Sequence, residues 1–334
     1  MLGLAVLVLA VFTTAAGATK PGSGTSLGTG RVFFPNPVAS LQDQTLTDQN
    51  DADYAALQPA YRDVILTNLD GSGTLTGDYA NIRNGTGNDA YSPTNEFLYG
   101  RSDDRFEQVM AYYWITEAQK YFQDLGFGTG KTYRPVNEES QDLRINQWGA
   151  DNSYSWDKHD VIRLGKGGVD DAEDAEVILH EYGHAVHDAQ GVDLQGVEAG
   201  GIGEGFGDYL AVTISNHIAP TVDAPCVADW DAVSYTTTVP HCLRRIDTGA
   251  RYPTNLSATS VHRNGLIWSA SLWDIQTAIG REAADTTILE AHFSMRVVTT
   301  MPYAAGKIVE TAERLYGAAT AALVRAAFQS RGIL

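Results

Sequence analysis

VDDAEDAEVILHEYGHAVHDAQG, residues 169–191, carries the reading of the whole chain. His180 and His184 stand four residues apart, which on a helix puts both imidazoles on one face, one turn from each other. Two neutral imidazoles so placed can hold one Zn²⁺ from the same side, and Glu181 between them then lies beside a water that the ion would acidify. The stretch also has the marks of a helix. Asp170 is the predicted N-cap, and Glu173 three residues on completes a capping box. Asp171, Asp174 and Glu176 place negative charge at the start, so the acidic run reads as a solvated, dipole-matched N-terminus rather than a Ca²⁺ site. Val177, Ile178, Tyr182, Ala185 and Val186 supply apolar contact surface, and Gly191 is a plausible stop.

H-E-x-x-H needs a third ligand, and IGEGFGDYLAV, residues 202–212, offers one. Glu204 follows His184 by twenty residues, and Asp208 follows Glu204 by four, on the same face of a helix. A ligating carboxylate with a further carboxylate to orient an imidazole is what such a zinc site needs. HEYGH followed by EAGGIGEGFGDYL resembles the thermolysin-like and fungalysin-like zinc metalloproteases, the gluzincin group. The resemblance implies His180, His184 and Glu204 as zinc ligands, Glu181 as general base, and Asp208 as hydrogen-bond partner of one histidine. The metzincin pattern would need Gly at 187 and His at 190, where this chain has His187 and Gln190. His187 is roughly 10 Å along the helix axis from His180, too far to share its ion, and reads as a packing or hydrogen-bonding residue.

The composition limits the partners. A formal net charge of −18 argues against nucleic acid or an anionic membrane. Residues 1–18, MLGLAVLVLAVFTTAAGA, read as a secretory signal with an apolar segment from Leu2 to Phe12 and Ala16-Gly17-Ala18 as cleavage site, too short for a membrane span. The expectation is a secreted monomer with no stable membrane association after processing. Cys226 and Cys242 are the only cysteines, and in a secreted chain they suggest one disulfide closing the turn-rich loop VADWDAVSYTTTVPH.

Around the motif the chain divides into a signal-like segment 1–18, a β-rich region 19–102, a catalytic lobe 103–192 and a helical lobe 193–334. TKPGSGTSLGTG, residues 19–30, reads as a flexible lead-in, and RVFFPNPV as a short edge strand broken by Pro35 and Pro37. Residues 61–83 read as a hairpin turning at Asp70-Gly71-Ser72-Gly73, because the ligand spacing of a Ca²⁺ loop is incomplete there. Residues 103–125 carry helical periodicity with Phe106, Tyr113, Trp114 and Phe122 as core, and 131–164 are strand-like. Helices are expected at 264–279, 286–301, 304–317 and 318–332. The fold class is therefore α+β, and the resemblance makes it a zincin (thermolysin-like) fold. An α+β N-terminal lobe and a mainly helical C-terminal lobe would hold the zinc in the cleft between them.

The resemblance also assigns residues outside the motif. ADNSYSW is similar to the family's substrate-aligning edge strand, so Asn152 and the backbone near Ser153 would bind the peptide main chain. His262 in VHRNGLIWSASLWD would donate to the developing oxyanion. Arg244 in CLRRID would bind a substrate carbonyl, with Arg245 as the alternative. A family tyrosine expected nine residues before Glu204 is Gln195 here, leaving Tyr182 or Tyr235 as substitutes. Structural Ca²⁺ is a further implication, without assigned ligands. Secreted members usually carry a long inhibitory propeptide, whereas residues 19–102 read as the start of the catalytic unit. Either this protein is made without a propeptide or the chain start is truncated or misassigned.

The expected function is zinc-dependent endoproteolysis of polypeptides, with apolar cleft residues setting a hydrophobic side-chain preference. A zinc aminopeptidase would need a carboxylate for the substrate's free amine, and no GAMEN-type motif is present. A silent binding protein on the same fold would have no need to keep Glu181 together with all three ligand types.

Overall fold

The computed structural model of the protein describes residues 25–85 and 87–334, so the signal-like segment 1–18 lies outside the described residues. Strand β1 (Ser26–Phe33) is the centre of a three-stranded sheet, antiparallel to β2 (Tyr61–Leu69) and parallel to the two-residue β4 (Glu96–Phe97). This corrects two expectations. The strand begins inside the supposed lead-in, and it is not an edge. The glycines suggested flexibility but serve close packing. A Cβ on Gly28 would lie 2.6 Å from the Asn95 carbonyl oxygen, and one on Gly30 would lie 2.6 Å from Val109 Cγ1. Pro37 does not merely end the strand. It is the first residue of a short helix, α1 (Pro37–Leu41), capped by Asn36, whose side chain accepts from the Ala39 amide at 2.9 Å.

The hairpin expected over 61–83 does not form. β2 is taken up by β1 along nearly its whole length, and an isolated Leu69–Gly77 bridge is all the pairing found across the turn's base. Strand β3 (Ala80–Ile82) joins a different sheet with β5 (Gln141–Ile145), β6 (Tyr154–Trp156) and β7 (Val161–Leu164). Its order is β3-β5-β7-β6, parallel except for the antiparallel β6, which occupies the edge. Helix α2 (Arg105–Asp124) is buried on most sides, with Phe106, Trp114 and Phe122 in the core as its periodicity predicts.

Helix α3 (Ala175–Ala189) carries the H-E-x-x-H sequence. Its cap is Asp174, which accepts from the Glu176 amide at 2.9 Å, while Asp171–Glu173 form a single 3₁₀ turn. The capping box at Asp170 and Glu173 is therefore absent. The solvated reading of the acidic run is also overturned, since Asp170, Asp171, Glu173, Asp174 and Glu176 are all buried. Glu173 is held by Arg101 Nε at 2.8 Å and Trp230 Nε1 at 2.9 Å, and Glu176 by Ser215 Oγ and the Ala228 amide, both at 2.7 Å. The helix stops where expected, with Gly191 at φ +71°.

The remainder is mainly helical: α4 (Gly196–Ile218), α5 (Val261–Ile279), α6 (Arg281–His292), α7 (Met301–Tyr316) and α8 (Ala318–Ser330). The helix expected at 286–301 lies earlier. It ends at His292 because β11 (Val297–Val298) pairs in parallel with β8 (Asp193–Leu194), just after α3. One hydrophobic core runs from α2 through α3 and α4 to α8. Buried Asp285 on α6 ties α2 to α4 by accepting from Tyr121, from Tyr209 at 2.5 Å and from Thr213 at 2.8 Å. Among the described residues no helix is long and apolar enough to cross a membrane.

Candidate metal centre

The site depends on how closely α3 and α4 approach. Gly183 and Gly207 face each other at the crossing, and a Cβ on Gly183 would sit 2.9 Å from Gly207 Cα. That contact lets Glu204 of α4 reach the two imidazoles of α3. Glu204 Oε2 is 3.5 Å from His180 Nε2, and Oε1 is 3.9 Å from His184 Nε2. One donor atom from each of the three residues lies within 4.8 Å of the others. Tetrahedral Zn²⁺ with bonds of about 2.0–2.1 Å separates its donors by about 3.3 Å, so the gap has the size of such an ion. Glu204 Oε2 is buried and accepts no hydrogen bond, although His262 Nε2 comes within 3.2 Å of it. A nitrogen–nitrogen–oxygen donor set with an orphaned carboxylate oxygen fits zinc.

Asp208 supports this arrangement from behind. It is fully buried, with Oδ1 2.9 Å from His180 Nδ1, so that nitrogen is engaged and Nε2 is left for an ion. Arg244 grips the same carboxylate, Nε to Oδ2 at 2.7 Å and Nη2 to Oδ1 at 2.7 Å. Burial opposes a charge on His180, but the Asp208 and Glu204 carboxylates beside it outweigh that and push the ring up to about 10. Burial likewise opposes the Glu204 carboxylate, yet His180 and then the neighbouring imidazoles of His184 and His262 hold it down to about 2. The cluster is built to hold positive charge.

A cleft of about 410 Å³ opens over these groups. Glu181 lines it beside the donors, Asn152 and Ser153 enter from the segment leading into edge strand β6, and His262 enters from the first turn of α5. Ser260 fixes that turn by capping the Arg263 amide at 3.3 Å. Arg244 reaches the cleft, whereas Arg245 is turned to Asp223 and Asp247 at 2.7 and 2.9 Å. Of the two tyrosines left open, Tyr182 is buried against Gln119, and Tyr235 lines the cleft. Gln195 binds Asp193 on the surface. His187 stays away from the donors, stacked on Phe206 and 3.3 Å from His292. Cys226 and Cys242 form the expected disulfide. It closes the loop that carries Asp231 and Tyr235 and runs between the short paired strands β9 (Cys226–Val227) and β10 (Arg244–Arg245). The reading of the sequence missed Asp151, Asp171 and Asp231, which gather beside the cleft with donor oxygens within 4.8 Å. The acidic run was the one available signal for them.

Comparison with known proteins gives the same direction. Residues 147–315 match the model of the fungalysin metallopeptidase (M36) family. The extracellular metalloproteinase MEP of Fusarium vanettenii is 26% identical over 170 residues, covering 42% of this chain and 24% of the relative. Extracellular metalloproteinase 4 of Trichophyton tonsurans is 27% identical over 146 residues, covering 39% of this chain and 20% of the relative. The chain thus spans about a quarter or less of the length of these relatives. Among solved structures, the precursor of protealysin, a metalloproteinase from Serratia proteamaculans, superposes with a TM-score of 0.52 at 14% identity. The match covers 67% of this chain and 78% of that one, a likeness of α+β fold.

Proposed function

The chain belongs to the fungalysin metallopeptidase family, and from that premise we propose that it is a secreted zinc-dependent endopeptidase acting on polypeptides. The observation that carries this is the convergence of His180, His184 and Glu204 at the base of a cleft that Glu181 also lines. Zinc held by those three residues would supply Lewis-acid polarisation of a carbonyl and acidification of a water.

The chain's own residues do the rest. Glu181 takes the proton of the attacking water and later delivers it to the leaving amine. Asp208 holds His180 through Nδ1, which would leave Nε2 free to hold the ion. His262, exposed at the cleft rim, donates toward the developing oxyanion. Arg244 is committed to Asp208 through Nε and Nη2, which supports a positioning role alongside its carbonyl contact. An extended peptide adds to the free edge of β6, with Asn152 at its end, since a strand paired on one side only has backbone groups to offer. Secretion is supported by the extracellular names of the relatives, by the disulfide and by the leader-like residues 1–18.

The test is casein hydrolysis by the purified protein with its zinc quantified, before chelation, after it, and after zinc is restored. Loss and rescue of activity with about one zinc per chain is expected of a single catalytic site. A protein that hydrolyses casein equally well after zinc is stripped would sink the proposal, as would a zinc-loaded protein that cleaves no peptide.

A further inference from the structure

Beside the metal ligands the cleft combines two kinds of lining. Val177, Ala228 and Leu243 are apolar, and Val177 stands one turn before Glu181 on α3. Asp171 and Asp231 line the same cleft, although each is only 3% exposed. One oxygen of each, Oδ1, accepts no hydrogen bond. Asp151 completes the group, with one oxygen from each of the three within 4.8 Å of the others. The neighbouring donors leave the group short. Ser153 Oγ serves the other Asp171 oxygen, and Tyr235 OH serves Asp151 at 2.5 Å. The cation at hand, Arg244, is already committed to Asp208 in a two-pronged pair.

We propose that this pocket takes a lysine or arginine side chain of the peptide substrate, at a residue flanking the scissile bond. The aliphatic stem packs on Val177, Ala228 and Leu243, and the cationic head meets Asp171 and Asp231. The proposal rests on the peptidase reading above and replaces the hydrophobic preference expected from the sequence. A neutral apolar side chain would leave two desolvated carboxylate oxygens unpaired, and an acidic one would meet like charge. A long stem ending in a cation satisfies both parts of the lining. Burial first, and then repulsion among the carboxylates, pushes Asp171 up to about 7 and Asp231 well above the usual carboxylate range. The Ser153 hydrogen bond to Asp171 and the attraction of Arg244 for Asp231 act the other way and are outweighed.

The experiment uses the zinc-loaded protein and matched peptides carrying lysine, norleucine or glutamate at each position flanking the cleaved bond. Norleucine keeps the stem and lacks the charge. Lysine should exceed norleucine in kcat/KM by at least about ten-fold at one position, with glutamate below both. Asp231→Asn should bring the lysine-to-norleucine ratio down toward one. Norleucine equal to or better than lysine at every flanking position would overturn the proposal. So would millimolar calcium that raises Tm in the wild type but not in Asp231→Asn, together with no lysine preference, because the carboxylates would then be a metal site. A turnover-free arm separates this failure from that of the peptidase reading. Zinc-loaded Glu181→Gln should bind the lysine peptide more tightly than the norleucine peptide by fluorescence anisotropy. Selective binding without cleavage by the wild type would keep the pocket and remove the peptidase, while cleavage without selectivity would do the reverse.

Discussion

Asp208 decides which nitrogen of His180 can face an ion. Its Oδ1 lies 2.9 Å from Nδ1, and burial leaves it no partners but that ring and Arg244. Asp208→Asn should therefore weaken zinc binding by about 10–100-fold, as loss of a carboxylate behind a ligating histidine does, measured by competition with a calibrated chelator. Unchanged affinity would mean that packing alone orients His180. Gly207→Ala should act in the same direction by a steric route, because its Cβ would lie 2.8 Å from His180 Nδ1. Glu181→Gln separates binding from chemistry. It should keep stoichiometric zinc and lose about 10²–10⁴ in kcat, the range for removing a general base. A variant with wild-type turnover would show that the proton goes elsewhere.

At the scale of elements, the convergence of His180, His184 and Glu204 was legible because its signals are local. The i, i+4 spacing of His180 and His184 survives any packing, and the Glu204–Asp208 spacing repeats it on the next helix. Partner choice was not legible. β2 pairs with β1 rather than with the strand after its turn, and β11 cuts short the helix expected at 286–301, both through contacts distant in sequence. The burial of the acidic run was hidden for the same reason, since its partners Arg101, Ser215 and Trp230 lie 39 to 72 residues away. His187 was read correctly as a packing residue, and its partner makes a pH prediction. Burial holds His292, between His187 and Gln190, down to about 3, well below its unfolded value near 6.5. The fold therefore binds fewer protons than the unfolded chain between those values. The stability from neutral His292 is complete above about pH 6.5 and is lost as pH falls toward 3, at up to about 1.4 kcal/mol per pH unit. In chelator, His292→Gln should make the fall in stability from pH 6 to pH 4 shallower than in the wild type, by urea denaturation. Parallel curves would place the acid sensitivity in other groups.

Across the whole molecule the same linkage runs with the opposite sign for its carboxylates. The net charge of −18 is not confined to the surface, because acidic side chains from 170–176 meet Asp229 and Asp231 in the interior beside α3. Arg101, fully buried and bonded to Glu173 and Asp48, is a cation serving this region directly. Desolvation, and then its neighbour Asp174, pushes Asp229 up to about 8. Desolvation, and then Asp51, does the same to Asp170. A group raised above its unfolded value of about 3.8 binds more protons folded than unfolded, so its contribution is present below that value and lost as pH rises toward 8. Between pH 7 and 9 buried His187 and His292 are neutral in both states, while His180, raised to about 10, loses its contribution in the same direction as the carboxylates, so the Asp229 variant isolates the carboxylate part of the slope. In chelator, where no bound cation supplies counter-charge, the urea midpoint should fall from pH 7 to pH 9. Asp229→Asn should reduce that fall and raise the midpoint at pH 9 above the wild-type value, because an amide of the same shape carries no charge to desolvate. A wild-type midpoint that rises over this interval, or an Asp229→Asn variant less stable at pH 9, would mean that the interior carboxylates are already compensated. The cleft carboxylates Asp171 and Asp231 would then lose the charge deficit that suits them to a cationic substrate.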